Sequence, residues 1–64
     1  MSNFGRLLEK KIRVKIKAIA KGTETIQNAN VNSLLDRLSL IDEASAEELK
    51  KTYIATVKNL GSEE

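Results

Sequence analysis

The sequence predicts an all-α fold: a small three-helix bundle in which a helical hairpin over 31–60 packs against a basic N-terminal helix. Three observations point there. Apolar residues recur at helical spacing in three separate segments. Gly22 and Gly61 close two of those segments, and no proline interrupts any of them. The second and third segments are joined by a short stretch, Asp42-Glu43-Ala44, of the kind that favours antiparallel neighbours.

The first segment, read as a helix from Ser2 or Asn3 to Lys21, gathers Phe4, Leu8, Ile12, Ile16 and Ile19 on one side. Leu7, Val14 and Ala18 widen that side into an apolar arc approaching about 200° at 3.6 residues per turn. Arg6, Lys10, Arg13, Lys17 and Lys21 line the opposite side. Lys11 and Lys15 fall within the broad apolar arc, where only snorkelling would keep their charges in water. Ala20-Lys21-Gly22 is a natural helix ending, with a base in the last turn and glycine after it.

The same segment carries a competing signal. Ile12-Arg13-Val14-Lys15-Ile16-Lys17-Ala18 alternates apolar and polar residues and is rich in β-branched side chains, as a half-buried strand would be. Lys21-Gly22-Thr23-Glu24 would then turn a hairpin, pairing Val14 with Val31 and Ile16 with Ala29. The alternative fold is therefore α+β, an N-terminal β-hairpin over 11–31 followed by two helices. A basic strand followed by two helices resembles the ribbon-helix-helix order of dimeric DNA-binding proteins, a likeness of element order that implies DNA contact through the strand. Against it, nothing from Arg6 to Lys21 breaks a helix, and Leu7-Leu8-Glu9-Lys10-Lys11 favours helix without alternating.

Residues 23–30 read as loop or a loosely held first turn, because continuing the next helix backward would place Thr23, Gln27 and Asn30 in its apolar arc. That next helix, 31–41, aligns Val31, Leu34, Leu35, Leu38 and Ile41, with Asn30 or Asn32 able to cap its start. The third helix, 45–60, opens on Ser45-Ala46-Glu47-Glu48, the pattern of a capping box. Leu49, Tyr53, Val57 and Leu60 give it one apolar stripe, flanked by Ala46 and Ile54. The expected core is Leu8, Ile12, Ile16, Leu34, Leu38, Leu49, Tyr53 and Val57, within a single domain over 1–64 whose tail, 61–64, frays.

Composition narrows the function. The 64 residues contain no Cys and no His, which removes disulfides, thiolate and imidazole metal ligands, and the Ser-His and Cys-His pairs of nucleophilic catalysis. The expectation is a protein that is not an enzyme and has no small-molecule substrate and no cofactor. Asp42, Glu43, Glu47 and Glu48 cluster, but lack the spacing of a calcium loop and suit a helix start, so no metal is assigned. No apolar run is long enough to span a membrane, and no secretory leader is visible, so a cytoplasmic location is expected.

Charge is distributed unevenly. Residues 1–21 hold seven bases and one acid, net +6, whereas residues 22–64 hold four bases and eight acids, net −4. The first segment is thus the candidate site. Its basic face (Arg6, Lys10, Arg13, Lys17, Lys21) would steer an acidic partner, and its apolar face (Phe4, Leu7, Leu8, Ile12, Ile16) would anchor it. The expected function is a protein–protein interaction or regulatory module that binds a protein partner or its own copy as a homo-oligomer. Nucleic acid held by the basic stripe is the runner-up, weakened by few arginines and only two aromatics, Phe4 and Tyr53. Peripheral attachment to a membrane surface ranks third.

Overall fold

The computed structural model describes residues 3–61. They form α1 (Asn3–Lys21), a single turn α2 (Ile26–Ala29), α3 (Val31–Ile41) and α4 (Glu43–Gly61). The expected all-α bundle forms, and no strand occurs among the described residues. The hairpin alternative over 11–31 and its resemblance to ribbon-helix-helix proteins are corrected accordingly. Val14 and Val31, which that hairpin would have paired, have opposite fates: Val31 is fully buried and Val14 is exposed. Ser2, a candidate start for the first helix, and residues 62–64 of the expected tail lie outside the described residues.

Each helix end has a local cause. Gly22 adopts φ +82°, donates its amide to the Ile19 carbonyl at 3.1 Å, and is followed by Thr23, whose amide reaches the Ala18 carbonyl at 3.0 Å. These are the two bonds of a Schellman ending, which needs a left-handed residue where glycine stands. Thr25 then starts α2 by accepting from the Asn28 amide at 3.1 Å. Asn30 ends that turn in the left-handed region at φ 52°, donating its amide to the Ile26 carbonyl at 3.2 Å. Asparagine is among the few side chains that tolerate this geometry. Asn30 stands at the N-cap position of α3, as expected, but makes no side-chain capping bond to it, and Asn32, the other expected candidate, lies inside that helix.

The reversal between α3 and α4 is tighter than expected. Asp42 alone separates them. Its carboxylate accepts from the Ser45 amide at 3.2 Å and from the Ser45 hydroxyl at 2.9 Å. Its own amide donates to the Leu38 carbonyl at 2.7 Å. Asp42 is therefore the cap, and Ser45 serves as a donor inside the helix instead of opening a capping box with Glu48. The helix begins two residues before the expected Ser45 and runs through Gly61, the expected stop.

These two bonds from Ser45, the amide bond first, hold the Asp42 carboxyl below its ordinary pKa. A carboxyl depressed in the folded state contributes stability above its unfolded pKa and loses it as pH falls through the folded value. Thermal melts taken from pH 7 downward should therefore show Tm falling below about pH 4. Asp42→Asn, which still caps but does not titrate, should lose part of that acid dependence; identical acid profiles for both proteins would remove Asp42 from the account.

One core unites the elements. Leu8, Ile12, Ile16 and Ile19 enter it from α1, Ala29 from α2, Val31, Leu35 and Leu38 from α3, and Ala46, Leu49 and Tyr53 from α4. Leu34 and Val57, expected fully inside, pack partly buried against it. No polar or charged residue is buried among those described. The three long helices pack pairwise, and α2 packs on α1. The molecule measures 40 × 19 × 14 Å. Ala20 of α1 shares a cavity of about 230 Å³ with Thr56, Asn59 and Leu60 of α4, so the last turns of these two helices lie side by side and the helices run in the same direction.

Candidate functional site

Packing against α3 and α4 divides the broad apolar arc of α1 in two. The half bearing Leu8, Ile12, Ile16 and Ile19 enters the core. The other half stays in solvent: Phe4, Leu7 and Val14 are 59%, 67% and 58% exposed. Lys11 lies exposed within this outer half and Ala18 half-buried at its end, while Lys15 is half-buried between it and the core. Neither of the lysines that clashed with a single broad apolar face is thus fully buried. Of the five residues expected on an apolar docking face, Leu8, Ile12 and Ile16 hold the fold together, and only Phe4 and Leu7 face outward. Val14 joins them, and its alternation with charged neighbours had suggested a strand position instead.

The basic row survives folding intact. Arg6, Lys10, Arg13, Lys17 and Lys21 are all exposed, aligned over about 22 Å of helix at 1.5 Å per residue. Arg13 donates to the Glu9 carboxylate at 2.8 Å, one turn earlier, an exposed pair of a kind worth about 0.3–0.5 kcal/mol. Among the described residues no carboxylate lies within ion-pair distance of the other four. The cavity beside Ala20 is lined on the α4 side by uncharged Thr56, Asn59 and Leu60. Seen down its axis, α1 therefore carries three strips roughly 100–140° apart: the core strip, the outer apolar strip and the basic row.

The opposite side of the molecule has the opposite charge. A groove of about 330 Å³ between α3 and α4 is lined by Asn32, Asp36, Ser39, Glu43, Glu47 and Lys50 over the buried Leu35 and Ala46. Among the described residues, no three acidic side chains converge as a metal ion requires, and no helix is long and apolar enough to cross a membrane. The uneven charge along the sequence thus becomes a molecule with a basic helix on one side and a carboxylate-lined groove away from it. No protein-family model, curated protein or solved structure matches the chain, so its functional reading rests on these surfaces alone.

Proposed function

We propose that the chain is a small, non-enzymatic interaction module that docks onto a protein through the outward side of α1. The observation that carries this reading is the exposed strip of Phe4, Leu7 and Val14 beside an exposed basic row. Exposed apolar side chains aligned on one side of a small domain mark an interaction surface when they share a strip. They would supply the anchor, and the row would steer a partner of opposite charge and set its on-rate.

Nucleic-acid binding is the second reading, supported by the row itself: five exposed bases along one side of a helix can neutralise phosphates. It leaves the apolar strip without a role. The two separate in affinity capture from a cell extract treated with nuclease. The proposal expects a protein retained through nuclease treatment and lost with Leu7→Asp/Val14→Asp. Arg13→Glu/Lys17→Glu should weaken that capture roughly tenfold or less, by slowing association. Release by nuclease, with charge reversal abolishing capture and the apolar double variant leaving it unchanged, would transfer the function to nucleic acid.

A further inference from the structure

We infer that the occupant of this surface is an acidic amphipathic α-helix of a partner protein, laid along α1 as in a two-stranded coiled coil. This rests on the interaction reading above and names its partner class. Phe4, Leu7, Lys11, Val14 and Ala18 follow one another at steps of three, four, three and four residues, the heptad spacing that keeps a seam facing one neighbouring helix. The strip occupies about 80° of the helix surface at 3.6 residues per turn. A strip confined to the seam positions is narrower than the about 100° or more that an amphipathic helix turns toward a broad apolar surface, and it matches the seam of a two-stranded coiled coil.

The flanks decide the charge of that helix. Lys10 and Lys17 border the seam on one side and Lys15 on the other, with no acid at a flanking position. A second copy laid along the seam would set lysine against lysine in either orientation, and like charges at these positions select against pairing. A second copy presenting its α3–α4 groove instead would meet the seam with carboxylates, since the apolar members of that groove, Leu35 and Ala46, are already buried. A partner helix with leucine or isoleucine on the seam and glutamate at its edges satisfies both strips. Lys11, the charged member of the seam, fixes its register by demanding an acid or polar group opposite.

The test uses the full chain and a synthetic helical peptide of three heptads, with leucine and isoleucine at the seam positions and glutamate at both edges. A scrambled peptide of the same composition, vesicles of neutral and anionic phospholipid, and the protein at rising concentration complete the set. The expected result is saturable binding of the heptad peptide, at least tenfold weaker for the scramble and for Leu7→Asp/Val14→Asp, and weakened by salt. Equal binding of both peptides would reduce the surface to charge alone and overturn the inference. So would binding to vesicles but not peptide, a dimer of the protein that the double variant breaks, or no binding to any probe. Any of these beside an extract capture that still depends on Leu7 and Val14 would defeat the partner class and leave the interaction reading standing.

Discussion

Ile12→Asp is expected to abolish the cooperative thermal transition, whereas Leu7→Asp on the same helix should melt within a few degrees of the parent. Ile12 is fully buried, and no charged residue accompanies it inside. A carboxylate placed there has no partner and must either remain desolvated or take up a proton. An uncompensated buried charge costs about 3–5 kcal/mol, comparable to the whole stability of a domain of this size, roughly 3–5 kcal/mol. Leu7 is 67% exposed, so a carboxylate there stays in water and removes nothing from the core. Surface changes of this kind stay within about 0.5 kcal/mol. Circular dichroism melts with amide-shift dispersion read the difference, and a cooperative melt for Ile12→Asp would show that α1 is not seated by this residue.

Leu38→Ala carries the second-largest effect. Leu38 is fully buried in the middle of the three-helix core, and truncation there leaves a cavity that three helices cannot all close. Losses for such changes run about 2–5 kcal/mol, and in a domain this small each kcal/mol lowers Tm by roughly 4–8 °C. The variant should therefore lose at least about 10 °C, or fail to fold, with the urea slope unchanged if a transition remains. Leu40→Ala, two residues along and 89% exposed, should leave Tm nearly unchanged. Equal losses at the two positions would mean that α3 is rotated from the orientation described.

The contrast between Ile12 and Leu7 shows where sequence reasoning succeeds and where it stops. Two helix spans, 3–21 and 31–41, were legible because local chemistry ends them: a glycine in the left-handed region after Lys21, and a short connection after Ile41. The true cap, Asp42, was hidden behind a competing match at Ser45-x-x-Glu48, since both patterns place an oxygen acceptor ahead of an acidic first turn. What decides is how soon α3 ends: it stops at Ile41 and leaves Asp42 as the one residue between the helices. Ala29 was missed because one methyl gives no periodic signal; its burial follows from the Thr25 cap and the Asn30 turn around it.

The candidate surface was half legible. The basic row follows from spacing alone, because five bases at turn-length intervals share a side wherever the helix is placed. The apolar face was visible as an excess, but its division required the neighbouring helices. Two helices offer one groove, and α1 fills it with the half made only of hydrocarbon, because seating the other half would bury Lys11. Outward-facing and core residues of α1 therefore could not be separated until α3 and α4 were in place.

The single-residue link at Asp42 also bears on the order in which the chain assembles. The entropy lost in closing a loop grows with its length, and between α3 and α4 there is almost no loop to close. Their pairing is the tertiary contact that confines the chain least, and it sets two sides of a groove. α1 has to reach that groove across residues 22–30, through a turn and two left-handed residues. The chain is thus biased to fold hairpin first, and the helix that carries the proposed interaction surface is the last to be seated.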